Sequence, residues 1–140
     1  MVKLLSLYAH NFKKLKLSSS LQFSEGITYI AGPNESGKST LLDAILYALH
    51  GRMIRPSAVP SNEEIISYGA NDASVRLTFS IGDRTFEVTR KIHISKPNEA
   101  NLQEILSDGH RRTIATTVKT VTKEIENLLG GITFNEIIAS

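Results

Sequence analysis

Residues 32 to 40 read Gly-Pro-Asn-Glu-Ser-Gly-Lys-Ser-Thr, which satisfies the pattern G-x-x-x-x-G-K-[ST]. No other feature of the chain constrains its fold as tightly. A polyphosphate needs several backbone N–H groups pointing inward, and only a loop of small, permissive residues curls tightly enough to present them. Gly37 lets the backbone approach the phosphates, and a helix beginning near Lys38 aims the positive end of its dipole at them. Lys38 is expected to neutralise the β- and γ-phosphates, Ser39 to offer its hydroxyl to magnesium, and Thr40 to meet the α-phosphate. Asn34, Glu35, Ser36, Gly37, Lys38, Ser39 and Thr40 are therefore the predicted nucleotide-binding residues, with ATP and magnesium the expected ligands.

The flanks agree with the motif. Ile27-Thr28-Tyr29-Ile30-Ala31 reads as a buried strand leading in, and Lys38 to His50 reads as a helix leading out. Leu41, Leu42, Ile45, Leu46, Ala48 and Leu49 cover most of that helix. Asp43, Tyr47 and His50 form its one polar stripe, and Gly51 stops it. Upstream, Lys3 to Tyr8 and Leu15 to Phe23 read as strands. Downstream, a short helix is expected near Glu63 to Ser67. Val75, Leu77, Phe79 and Ile81 then alternate with polar residues and turn at Gly82-Asp83. The returning strand puts Phe86, Val88, Ile92 and Ile94 on one face, and Arg90 falls on that apolar side, where a charge needs a partner or a bulge. A second hairpin runs from Leu102 through Asp108-Gly109 to Ile114. A helix follows from Thr117 to Leu129, with Val118, Val121, Ile125, Leu128 and Leu129 on its stripe. The pattern starting at Phe134 is cut short at Ser140, so the chain reads as one lobe, residues 1–140, of a longer protein.

Bulk properties add little. The 140 residues are 41% apolar and 21% charged, and the net charge of +2 is too small to argue for nucleic acid. Absence of cysteine excludes disulfide scaffolds and thiolate metal sites. No stretch reads as a membrane span or a secretory signal, so a cytoplasmic, nucleoid or nuclear location without membrane attachment is expected. Hydrolysis would need an acidic residue at the end of an apolar strand, and no run of four apolar residues followed by Asp or Glu occurs. The chain by itself is therefore expected to bind ATP without turning it over.

Taken together, Asn11-Phe12-Lys13, Gly26-Ile27, the run Gly32 to Ile45, Ala48-Leu49-His50-Gly51 and the Val75 to Lys91 hairpin resemble the N-terminal half of the ATPase head of SMC-like proteins. The resemblance is to the Rad-fifty/SbcC type, the coiled-coil ATPase of double-strand-break repair. It implies an α/β P-loop NTPase lobe of ABC/SMC type, with a mixed sheet and antiparallel β-hairpins around the P-loop helix. It also implies catalysis involving Lys38 only once a C-terminal lobe of the same protein and a second head in a homodimer close on the nucleotide. A nuclease subunit and DNA, held through its phosphates, are the implied partners. By position Lys13 resembles a basic residue near the nucleotide, and Ser67 and Tyr68 resemble a loop flanking the adenine. Glu35 departs from the family's usual glycine, which leaves other SMC-like or OLD-type ATPases open. A small P-loop kinase and a nucleotide-sensing module remain alternatives of other classes. Lys13-Lys14-Lys16, Arg52/Arg55, Arg90-Lys91 and Arg111-Arg112 are the basic clusters, of which Lys14 and Lys16 share an outward face suited to phosphates.

Overall fold

The computed structural model describes residues 2–13, 21–23, 35–51, 65–132 and 136–137, with side chains described from Thr40 onward in the first helix. In chain order the elements are β1 (Val2–His10), β2 (Leu21–Gln22), α1 (Glu35–His50), β3 (Asp72–Ile81), β4 (Arg84–His93), β5 (Glu99–Ile105), β6 (Arg111–Ala115) and α2 (Val118–Leu129). The strands form a six-stranded sheet in the order β2-β1-β3-β4-β5-β6. Each ladder among the described residues is antiparallel. The strand expected at 27–31, and most of the one expected at 15–23, lie outside the described residues.

Periodicity accounts for the central hairpin. Gly82 sits at φ 61, a left-handed conformation that only glycine adopts without strain, and it joins Ile81 to Arg84 across a two-residue turn. Pairing then sets Leu77 opposite Val88 and Phe79 opposite Phe86, whose rings stack at 5.6 Å between centroids. Val75, Leu77, Phe79, Phe86 and Val88 are all fully buried. In β1 simple alternation would send Leu4 and Leu7 to opposite faces. A register shift between Leu4 and Ser6 inserts Leu5 as an extra residue, so that Leu4 faces Phe79 and Leu7 faces Leu77 on the same side. A bulge of this kind re-aims one half of a strand at little cost in pairing.

Both helices lie on this apolar face, α1 against β3 and β4 and α2 against β5 and β6. The body of α1 is buried almost all round, Asp43 and Tyr47 included. Asp43 and Tyr47 of the polar stripe therefore lie inside the protein, while His50 is half-buried. In α2, Thr117 and Thr120 form a capping box and Gly130, at φ 59, ends the helix with its N–H on the Glu126 carbonyl at 3.1 Å. Val121, Ile125 and Leu129 are the side chains it buries. Val118, expected on the same stripe, is 41% exposed. Ile94 also departs from expectation: β4 ends at His93, the chain bends away, and Ile94 is 47% exposed. The helix expected near Glu63 to Ser67 does not extend through its end, since Ile66 pairs with Phe12 in an isolated β-bridge.

At the far end of the sheet Glu104 is a carboxylate on the apolar face, 7% exposed. Arg84 grips it with Nε at 2.9 Å and Nη2 at 3.0 Å, Arg112 donates to the same group, and Arg84 also stacks over the Phe86 ring at 4.9 Å. Hydrogen bonds from the two guanidinium groups hold the Glu104 carboxyl down at about 2, against an ordinary value of 4.5.

Two outcomes test this packing. Ile125→Ala is expected to cost about 2–5 kcal/mol in denaturant unfolding, whereas Val118→Ala changes stability by less than about 0.5 kcal/mol. Because the folded-state pKa of Glu104 is depressed, its contribution is full above 4.5 and disappears as pH falls through about 2. Glu104→Gln should therefore lower the melting temperature at neutral pH, and the gap from the parent chain should close over that acid window.

Candidate nucleotide-binding site

The motif forms the N-terminal end of α1. Glu35 to Thr40 are helical in backbone, so the helix starts three residues before the expected Lys38, and Glu35, Ser36 and Gly37 lie in its first turn, where N–H groups have no partner within the helix and the dipole is positive. Asn34 lies outside the described residues, as do the side chains of Glu35, Ser36, Lys38 and Ser39. Thr40 is half-buried and bonded within the chain. Along the sequence the start of this helix carries one ammonium (Lys38) and three hydroxyls (Ser36, Ser39 and Thr40), groups of the chemical kind that can bind a magnesium-bound triphosphate.

A second group of residues meets α1 from the side. After β1 the backbone enters left-handed conformations at Asn11 (φ 56) and Lys13 (φ 52), which are uncommon for residues other than glycine. Four anchors hold this shape. Phe12 is fully buried, with its ring 5.8 Å from that of Tyr47 on α1. The Lys13 N–H donates to the Ile65 carbonyl at 2.6 Å, and the Ser67 N–H donates to the Asn11 carbonyl at 2.8 Å. The Ser67 hydroxyl donates to the Lys13 carbonyl. Held in this way, the Lys13 ammonium reaches the Asp43 carboxylate on α1 at 2.7 Å.

Lys13 and Ser67, distant in sequence, are thus brought together and tied to α1. Tyr68 follows in a turn with its side chain wholly exposed, at 106%. The ion pair with Asp43 was not legible beforehand. An Asp inside an otherwise apolar helix does signal that a cation must come to it, but nothing local says which one. Arg90 found partners and not a bulge: its Nε donates to the Ala48 carbonyl at 2.8 Å, at the C-terminal end of α1.

The basic clusters divide differently from their sequence appearance. Arg111 pairs with Glu87 at 2.7 Å, Arg112 pairs with Glu104, and Arg90 is buried. Lys14, Lys16, Arg52 and Arg55 lie outside the described residues. Among those residues no helix is long and apolar enough to cross a membrane, and no group of three or more His, Asp or Glu side chains is placed to hold a metal ion.

Residues 6–138 match the family described as AAA domain. The chain is similar to the SbcC component of the SbcCD nuclease of Deinococcus radiodurans, with 33% identity over 132 residues, 92% of this chain and 14% of that protein. It is also similar to the DNA double-strand break repair Rad50 ATPase of Sulfolobus acidocaldarius, with 30% identity over 112 residues, 80% of this chain and 12% of that protein. The chain thus spans about one seventh or less of these relatives. Among solved structures, the recombination mediator protein RecF–ATP superimposes with a TM-score of 0.62 over 94% of this chain and 31% of that one. Its 21% identity makes that a likeness of fold. The chain belongs to the AAA domain family, with a sequence similar to SbcC and Rad50 proteins over most of its own length and a fold like that of RecF.

Proposed function

We propose that the chain is the ATP-binding half of an SMC-like ATPase head acting in DNA double-strand-break repair. One observation carries the reading: the motif Gly32 to Thr40 runs into the first turn of a helix whose body is buried against a sheet. A phosphate site needs that combination, because amides can stabilise charge only if they are already held in place when the ligand arrives. In this reading Lys38 neutralises the terminal phosphates, Ser39 holds magnesium, and Thr40 meets the α-phosphate. Asn34 and the first-turn residues Glu35, Ser36 and Gly37 offer their amides around them. Magnesium, when bound, supplies charge neutralisation between the phosphates. Lys13, Ser67 and Tyr68 flank the nucleotide on the side where the Lys13 loop meets α1, with the Tyr68 ring free to cover a base.

The repair role is supported by what the relatives are called, a component of a nuclease and a double-strand-break repair ATPase. Turnover in this reading requires residues beyond this chain: a C-terminal lobe of the same protein and a second head closing as a homodimer. A nuclease subunit and DNA, bound through its phosphates, complete the set of partners in the cytoplasm, nucleoid or nucleus. The chain alone binds ATP and does not hydrolyse it.

Calorimetric titration with ATP and magnesium tests the reading. Lys38→Ala should weaken binding by about thirtyfold or more, the worth of a charged contact to phosphate. Equal affinity in the two proteins would contradict the assignment, and robust phosphate release by the chain alone would contradict the division of labour. A double-mutant cycle of Lys13→Met and Asp43→Asn should return a coupling of about 1 kcal/mol in unfolding, as for a half-exposed ion pair in fixed geometry.

A further inference from the structure

Arg90 stands in the middle of the apolar face of β4, 2% exposed, between the fully buried Val88 and Ile92. Among the described residues no carboxylate pairs with it. Its partners are the end of a helix and one hydroxyl: Nε donates to the Ala48 carbonyl at 2.8 Å, and Nη2 donates to the Leu49 carbonyl at 3.4 Å and to the Thr122 hydroxyl of α2 at 3.0 Å. The last carbonyls of a helix lack intrahelical donors and carry the negative end of its dipole, so this guanidinium is both hydrogen-bonded and charge-compensated by α1. Burial pushes the Arg90 pKa down to about 10, which still leaves the group charged at neutral pH.

The chain is shaped to admit it. Gly51 follows α1 at φ 71 and donates its N–H to the Tyr47 carbonyl at 2.8 Å. A Cβ at that position would lie 3.3 Å from Arg90 Nη1 and 3.4 Å from Thr122 Oγ1. One planar group thus sets the sheet, the end of α1 and the side of α2 against one another. Apolar packing alone would allow α1 to slide or rotate slightly on the sheet, because dispersion and burial are non-directional. Directed hydrogen bonds from a rigid fork remove that freedom. A helix is stiff over its length, so a displacement at its C-terminal end is carried about 24 Å along its axis, at 1.5 Å per residue, to its first turn.

We propose that Arg90 is a positioning residue for the nucleotide site: by gripping the C-terminal carbonyls of α1 it fixes where the opposite end of that helix presents its amides to phosphate. The inference rests on the nucleotide reading above and adds to it a residue that the motif does not contain. Its test is the affinity of the folded protein for ATP and magnesium, measured beside thermal stability for the parent chain and for Arg90→Met, Arg90→Lys, Gly51→Ala and Glu104→Gln.

Arg90→Met keeps the apolar stem and removes the fork, and should weaken ATP binding by about three- to tenfold at temperatures where the protein is folded, the range for coupling through a packed network. Arg90→Lys, which can reach one acceptor but not several, should recover part of that loss. Gly51→Ala disturbs the same junction from the helix side and should shift affinity in the same direction. Glu104→Gln destabilises the far end of the sheet, away from this junction, and should leave affinity unchanged. Should Arg90→Met not fold, the Arg90→Lys and Gly51→Ala affinities decide the matter. Lowered melting temperatures with parental affinity in the Arg90 and Gly51 variants would overturn the proposal and leave Arg90 a purely structural residue. Failure of the parent chain to bind ATP at all would instead strike the nucleotide reading, and this inference with it.

Discussion

Burial of α1 between the sheet and its neighbours is the constraint on which the rest of the structure depends. Leu41, Ala44, Ile45, Ala48 and Leu49 leave almost none of its body, residues 41–49, to water. Its polar groups therefore had to be satisfied from within: Asp43 by Lys13, Tyr47 beside Phe12, and the terminal carbonyls by Arg90. The partners arrive from two distant parts of the chain, Phe12 and Lys13 from the segment after β1 and Arg90 from the middle of β4. An unpaired buried charge costs several kcal/mol, so these matches are conditions for burying the helix at all. A helix buried in this way holds its N-terminus still, and a still N-terminus is what an anion site requires.

The same logic links the strained segment to the helix. Asn11 and Lys13 occupy left-handed backbone regions at a cost that neighbouring structure must offset. The buried Phe12, the Ile66 bridge and the Ser67 hydrogen bonds supply that support, and the result is a lysine aimed at α1. Opposite this end, Glu104 between Arg84 and Arg112 stabilises the outer strands by charge-assisted hydrogen bonds. The hairpin end of the sheet is thus closed by polar groups and the α1 end by apolar packing with a few directed contacts.

Local chemistry was legible in the residues. Alternation from Val75 to Ile81 and the Gly82-Asp83 turn specify the β3–β4 hairpin, and Thr117 with Gly130-Gly131 marks both ends of α2. Even Arg90 announced itself, since a charge on the apolar side of a strand demands a partner. Long-range matches were not legible. Nothing near Lys13 points to Asp43, thirty positions away, and nothing near Glu104 points to Arg84. The inserted Leu5 also escaped, because a bulge is a property of the pairing of two strands and not of one. Ile94 and Val118 were misplaced for a common reason: periodicity tells which face a residue is on, but not where the opposing surface ends. In the candidate site, the motif can be proposed from the sequence because its residues are contiguous, whereas the loop that meets α1 is assembled by the fold.

Hydrogen–deuterium exchange, with and without ATP and magnesium, tests the central claim most directly. If a fixed helix end offers its amides to phosphate, exchange across residues 32 to 40 should slow on addition of the nucleotide, while the outer strands β5 and β6 stay unchanged. Identical uptake over that segment at saturating nucleotide would contradict the account.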